Sequence, residues 1–323
     1  MKEAIRLGII GNGRIAHKFV EEARHVSGVV IEDVYGINER TLSEFASRHR
    51  IANYALNLEE FLGRVDCVYV ASPHLTHYGY AKKALEAHKH VLCEKPMSLS
   101  TSEVDELFEL SRKQGCVLLE AIKTAFCPGF LELVPFAKSG IIGDIKYVNA
   151  SFTKLVEPGV REVKRDMAGG SMTELSSYPL LAAVKLLGTG YRNMTFCSYV
   201  DKANDVDMFT KADLVYDKAV ATCCMGLGVK TEGELIVAGT KGYILVRSPW
   251  WKTESYEVRF EDPLDKMVYS FEFEADGLRY ELREFVSMIS KGELQTKTLT
   301  AEETRAIISV IEKYRVSPDI YFI

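Results

Sequence analysis

A buried strand that enters a glycine-rich turn and leaves it as a helix restricts a chain to few folds, and this chain begins that way. Ile5-Arg6-Leu7-Gly8-Ile9-Ile10 is an apolar run of strand length. Gly11-Asn12-Gly13-Arg14-Ile15-Ala16 follows, and Phe19, Val20 and Ala23 continue at helical spacing. Each small residue has a physical reason. Gly11 permits the tight turn, Gly13 lets the backbone approach a pyrophosphate, and Ala16 lets helix and strand pack closely. The helix N-terminus adds N–H donors and a positive dipole end for phosphates. Gly11, Asn12, Gly13, Arg14, Ile15 and Ala16 are thus the expected dinucleotide cradle.

The following text alternates strands with helices. Val29–Tyr35 is the second strand. About twenty positions past the glycine motif, its tip should carry a carboxylate for the ribose 2′-hydroxyl. The residue there is Gly36, with Asn38 and Arg40 just beyond. The missing clamp predicts that NADP binds at least as well as NAD. Arg40 either meets the 2′-phosphate or is a solvated residue of the helix from Arg40 to His49; both readings stay open. Asp66–Ala71 is another buried strand, ending in Ser72-Pro73-His74-Leu75-Thr76-His77, a loop suited to pass close to a cofactor before a helix from Tyr78 to Ala87. His77 either faces the crevice or is solvated.

Val91-Leu92-Cys93 then leads into Glu94-Lys95-Pro96. Ligands of open α/β sheets lie beyond the carboxyl ends of the strands, which places Glu94 and Lys95 at the crevice, while Pro96 ends the ladder. Ser100 to Gln114 is amphipathic, and Ser100-Thr101-Ser102-Glu103 offers a capping box. Val117–Ala121 is one more strand. The expectation is a doubly wound parallel Rossmann sheet with right-handed crossovers over residues 1–121.

Past residue 122 the pattern becomes α+β. A helix from Pro128 to Ser139 precedes long alternating strands, among them Lys146–Thr153, Ala219–Met225 and Ser255–Phe260. One helical stretch, Ser171 to Leu187, lies between them, and Leu278–Ser290 and Ala301–Val316 close the chain. Residues 122–323 should form a substrate-binding and oligomerisation domain with a large, mostly antiparallel, open-faced sheet. Helices cover one face and a second subunit the other, predicting a homo-oligomer, dimer or tetramer.

Composition excludes other classes. A length of 323 residues suits two domains. A net charge of −5 without a basic block argues against nucleic acid as a partner. No apolar run is long enough for a bilayer, and the first residues run straight into a strand, so neither a membrane span nor a signal peptide is expected. Seven scattered cysteines read as reduced thiols of a cytoplasmic protein. No His/Cys spacing suggests a metal.

Four stretches together resemble the Gfo/Idh/MocA family, the glucose–fructose oxidoreductase and inositol dehydrogenase group. They are Gly11–Ala16, Ser72–His77, His90–Pro96 and Ala168–Leu175. Glu120–Pro128 is also similar to a segment of the dihydrodiol and sugar dehydrogenases of that family. The resemblance implies NAD(P)-dependent interconversion of a secondary alcohol of a sugar, polyol or dihydrodiol with its ketone. It implies that Glu94 contacts the nicotinamide-side ribose and that Lys95 touches cofactor and substrate. The family's Asp-x-x-x-His positions are held here by Glu174 and Tyr178, four apart and so on one helix face. Ala125 stands where relatives often have arginine, and Lys123 nearby is a substitute for its charge.

Free tyrosine, with a pKa of about 10, is a poor base near neutrality. An adjacent ammonium favours the phenolate, so Tyr178 is expected to exchange the proton, Lys95 to support it and Glu174 to hold a substrate hydroxyl. The alternative is a nucleotide-binding sensor of the same fold without turnover.

Overall fold

The structure, a computed structural model, describes residues 4–317 and 320–322. In chain order the strands and helices are β1 (Ile5–Ile10), α1 (Arg14–Ala23), β2 (Val29–Tyr35), α2 (Glu39–Arg48), β3 (Asn53–Ala55), α3 (Leu58–Arg64), β4 (Cys67–Val70), α4 (His74–Glu86), β5 (His90–Glu94), α5 (Thr101–Gln114) and β6 (Leu118–Ala121). A 3₁₀ turn, Lys123–Phe126, leads to α6 (Pro128–Lys138), β7 (Ile145–Thr153), α7 (Ser171–Leu175), α8 (Ser177–Leu187), β8 (Asn193–Asp201), β9 (Val206–Val215) and β10 (Val220–Gly226). Then follow β11 (Leu235–Gly239), β12 (Tyr243–Val246), β13 (Ser255–Arg259), β14 (Lys266–Ser270), α9 (Leu278–Lys291), α10 (Ala301–Val316) and β15 (Ile320–Phe322).

The chain divides into two compact units. The first runs to Phe126 and takes back Glu274–Ala301; the second comprises Cys127–Phe273 and the segment from Glu302. The first is therefore discontinuous in sequence. Its helix α9, which the sequence reading places beyond residue 122, packs on α1 and on the 3₁₀ turn.

The first unit is a six-stranded sheet in the order β3-β2-β1-β4-β5-β6, with every pairing parallel. This is the doubly wound sheet expected, because β4 and β5 are buried on both faces and need helices above and below. One core cluster gathers Phe61, Val68, Val70, Leu85 and Val91, with Phe61 fully buried. Phe61 lies where a Cβ on Gly8 would be, so the glycine in β1 is a packing requirement.

Three local expectations are corrected. β3 and α3 went unread because Asn53-Tyr54-Ala55 is too short for a periodic signal. Helix α4 starts at His74, not Tyr78, since Pro73 is its N-cap and fits the extended backbone there. The capping box at Ser100 does not form: Ser100 makes no side-chain cap bond, and the Ser98 hydroxyl donates to the Glu103 carboxylate instead.

The second unit carries a nine-stranded sheet in the order β14-β13-β12-β11-β7-β10-β9-β8-β15 among the described residues. It is mostly antiparallel, with β7–β10 and β8–β15 parallel. Alternate residues of the central strands, such as Val148, Ala150, Ala212, Leu214, Ala221 and Cys223, are buried, and α8 packs on β7 and β10. The expected single helix from Ser171 to Leu187 is two, α7 and α8, separated at Ser176. Pro179 falls in the first turn of α8, where its missing N–H leaves no intrahelical bond unmade.

Phe61→Ala should lower stability by about 3–5 kcal/mol, because a fully buried ring leaves a cavity facing Gly8. A denaturant titration following the first unit's transition measures this; a loss below 1 kcal/mol (about the cost of a mild core change) would contradict it.

Candidate active site

Gly11 has φ +104°, and a Cβ on it would lie 2.7 Å from the Ala71 carbonyl oxygen. Only glycine closes this turn against the end of β4. Gly13 differs: a Cβ there would meet nothing within 4 Å, and as N-cap of α1 it supplies no side-chain cap. The first N–H groups of α1 thus open to an unfilled side of the backbone, which is the donor set a pyrophosphate takes. Arg14 is exposed at this edge, Ile15 is half-buried, and Ala16 is buried beneath it. Asn12 ties the turn to α2 by donating to the Thr41 hydroxyl at 3.1 Å. These residues fit a dinucleotide.

At the tip of β2, a Cβ on Gly36 would come 3.1 Å from Leu42 and 3.7 Å from the Asn12 side-chain oxygen. Asn38 is the N-cap of α2, its side-chain oxygen accepting from the Thr41 N–H at 3.1 Å. Arg40 is exposed in the first turn of α2.

After β4, Ser72 accepts a hydrogen bond from the Thr76 hydroxyl at 2.7 Å, Pro73 is exposed, and His74 is buried. His77 is 1% exposed, which rules out the solvated alternative. Its Nδ1 lies 2.8 Å from the Pro96 carbonyl oxygen and its Nε2 2.8 Å from that of Ser72. His77 therefore braces the β4–α4 loop against the Glu-Lys-Pro corner.

Glu94 ends β5 and is buried. The Tyr69 hydroxyl donates to one carboxylate oxygen at 2.5 Å and the Lys95 N–H to the other at 3.3 Å. Burial raises its pKa, opposed by Lys95, the Tyr69 hydrogen bond and Lys123. The Lys95–Pro96 peptide is cis, and Lys95 is half-buried. Lys123 turns its ammonium to the Asp276 carbonyl at 2.5 Å. Ala125 is buried in the same 3₁₀ turn.

The sequence reading missed the groups around this corner. Tyr69 stacks on Phe19 of α1 with ring centroids 3.7 Å apart. Glu22 of α1 accepts from the N–H groups of Asp276 and Arg279 and from the Arg279 guanidinium. Glu120 of β6 accepts from the Met97 N–H at 2.9 Å. Glu281 of α9 is fully buried. The Glu22 links join residues more than 250 positions apart, which no local pattern signals.

In the second unit, Asp207 of β9 organises the start of α7. It accepts from the Ser171 hydroxyl at 2.5 Å, the Met172 N–H at 2.7 Å and the Thr210 hydroxyl at 2.8 Å. Gly170, at φ +114°, has no room for a Cβ beside the Asp207 carboxylate. Glu174 follows in α7, buried and ion-paired with Arg161, whose Nη2 donates to Oε2 at 3.1 Å while Nη1 lies 2.8 Å from Oε1. Tyr178, half-buried in α8, packs edge-on to Phe152 at 4.9 Å, and Phe152 stacks on Trp251. Arg161 gives no local signal, because it opens a three-residue 3₁₀ turn, Arg161–Val163, thirteen residues before its partner.

Residues 5–122 match the family model GFO_IDH_MocA, described as an oxidoreductase family with an NAD-binding Rossmann fold. The matched segment spans β1 to β6 of the first unit. Similar proteins include scyllo-inositol 2-dehydrogenase (NADP(+)) IolU of Bacillus subtilis, 26% identical over 328 residues and covering 98% of each chain. Another is trans-1,2-dihydrobenzene-1,2-diol dehydrogenase of Homo sapiens, 26% identical, with 99% of this chain and 98% of that one covered. Among solved structures, a 3-ketoreductase from Actinomadura kijaniata in complex with NADP and TDP-benzene has the same fold, with a TM-score of 0.89, 22% identity, and 99% and 100% of the two chains covered. The resemblance read from the sequence is borne out, and so are the two-sheet architecture and the assignment to the oxidoreductases.

Hydrogen bonds to charged groups contribute about 1.5–3 kcal/mol. A double-mutant cycle of Arg161→Ala and Glu174→Gln, read by denaturant unfolding, should therefore give a coupling of about 1–2 kcal/mol. Additive effects would show that the bridge carries no energy.

Proposed function

We propose that the protein is an NADP-preferring dehydrogenase, able also to use NAD, that interconverts a secondary alcohol of a sugar, polyol or diol with its ketone. One observation carries the reading. The glycine cradle after β1 and the Glu94-Lys95 corner after β5 stand at the carboxyl ends of strands in one sheet, with β4 paired to both. That is where ligands of open α/β sheets bind.

Bound cofactor supplies the hydride chemistry. Gly11, Gly13 and the start of α1 hold its pyrophosphate, with Ser72, Pro73 and His74 alongside. Glu94 accepts from its ribose, and Lys95 serves cofactor and substrate. In the first unit Lys123 lends positive charge; in the second, Tyr178 is the group proposed to exchange the hydroxyl proton and Glu174 the one proposed to hold a substrate hydroxyl. Gly36 offers no carboxylate against a 2′-phosphate, and Asn38 and Arg40 at the start of α2 supply a donor and a cation for one. The match of residues 5–122 to an oxidoreductase family model supports this reading, as do the names of the inositol and dihydrodiol dehydrogenases among the relatives.

Absorbance at the reduced-nicotinamide band, followed with a panel of sugars, polyols and diols, tests it. Turnover with NADP is expected on at least one; cofactor binding with no turnover on any would favour the sensor instead. Tyr178→Phe should lower turnover about a hundredfold to ten-thousandfold with little change in cofactor affinity. Lys95→Ala should impair both turnover and cofactor binding. Arg40→Ala should weaken NADP and leave NAD unchanged.

The second unit is also proposed as an oligomerisation domain of a cytoplasmic homo-oligomer. Lys211, Asp213, Thr222 and Ile236 lie on the less buried face of its sheet, opposite the side on which α8 packs. Light scattering at micromolar concentration should give at least a dimer; a monomer would overturn this.

A further inference from the structure

We propose that Glu94 and Glu281 hold one proton between them, and that a cationic, oxidised nicotinamide expels this proton on binding whereas a neutral, reduced one lets it stay. The inference rests on the reading that Glu94 lies beside the nicotinamide-side ribose.

Its basis is the placement of Glu281. The side chain is 0% exposed, and neither carboxyl oxygen has a hydrogen-bond partner among the described residues. An ionised carboxylate with neither water nor donors is strongly disfavoured, whereas a carboxylic acid is tolerated. The surrounding charges agree. On its own helix, Arg279 is committed to Glu22 and Glu274. From α1, Glu22 adds negative charge and Lys18 is turned to Asp276 at 2.7 Å. From the 3₁₀ turn, Lys123 is the opposing cation, and from β5 comes Glu94. Burial first, then Glu94 and Glu22, drive the Glu281 carboxyl well above the usual range against the pull of Lys123.

Glu94 is better provided. It has the Tyr69 hydroxyl, the Lys95 N–H and the Lys95 charge. Glu94 is thus the ionised member and Glu281 the acid, titrating as one coupled pair. A positive ring brought to Glu94 favours the doubly ionised pair, and a neutral ring does not. By linkage, oxidised cofactor then binds more tightly as pH rises, relative to reduced cofactor. The pyrophosphate and 2′-phosphate are common to both forms and cancel in the ratio.

The test is to titrate the protein with NADP+ and with NADPH by fluorescence between about pH 6 and pH 9 and take the ratio of their Kd values. The wild-type ratio should shift toward NADP+ several-fold with rising pH, up to about tenfold per pH unit where a full proton is exchanged. Glu281→Gln, which keeps the shape of the neutral acid, should flatten the ratio. A flat wild-type ratio, or an unchanged slope in Glu281→Gln, overturns the proposal.

Two further readouts need no turnover. The infrared difference spectrum of wild-type protein, NADPH complex minus NADP+ complex, should show a gained carboxylic-acid band; its absence overturns the proposal even if the variant does not fold. In cofactor-free protein, a carboxyl raised on folding costs stability as pH climbs from the unfolded value of about 4.3 toward the folded one. The stability of Glu281→Gln relative to wild type should therefore grow with pH across that window. If Glu94→Gln changes the affinity of neither cofactor, the placement of Glu94 beside the ribose is what fails.

Discussion

The buried carboxylate of Glu94 is the constraint on which the first unit depends. A carboxylate at the end of an interior strand must find donors or lose its charge. It finds the Tyr69 hydroxyl on the adjacent strand and the N–H of the next residue. Tyr69 can serve only because its ring is clamped on Phe19, so the helix behind the glycine turn helps set the position of a carboxylate two strands away. The chain after Glu94 is fixed in turn: His77 meets the Pro96 carbonyl, and Glu120 meets the Met97 N–H. Cradle and corner are one hydrogen-bonded and stacked assembly.

The second unit solves the same problem with Asp207. Three donors converge on its carboxylate, opposing the upward push of burial on its pKa. Two of them, from Ser171 and Met172, belong to the first residues of α7. The short helix is thereby tied to β9, and Glu174 and Tyr178 inherit their places from that tie. Gly170 is required because any side chain would occupy the space the Asp207 carboxylate fills.

What was legible in the sequence followed from local periodicity. Apolar runs such as Cys67-Val68-Tyr69-Val70 and Val91-Leu92-Cys93 declare strands buried on both faces, and the strand–turn–helix context gives the glycine motif its meaning. The alternation of β7 to β14 declares a sheet with one covered face. Three-residue β3 offers no period to read. Sequence alone leaves His77 open between crevice and solvent; its burial arises from two carbonyls that only the folded loops bring together. Glu281 sits in an amphipathic helix and reads as an ordinary charged residue. Its burial depends on α9 returning to the first unit, which is a property of topology and not of any window of sequence.

The carboxylates assigned to chemistry also bear on what the protein can accept as substrate. Glu174 is ion-paired with the Arg161 guanidinium, which donates to one of its oxygens, and a carboxylate so held accepts hydrogen bonds but donates none. Glu94, already taking a phenolic hydroxyl, is likewise an acceptor. A substrate whose groups are hydroxyls can donate to such oxygens. In the second unit, the acceptor character of Glu174 is what the hydroxyl of the proposed substrate would use.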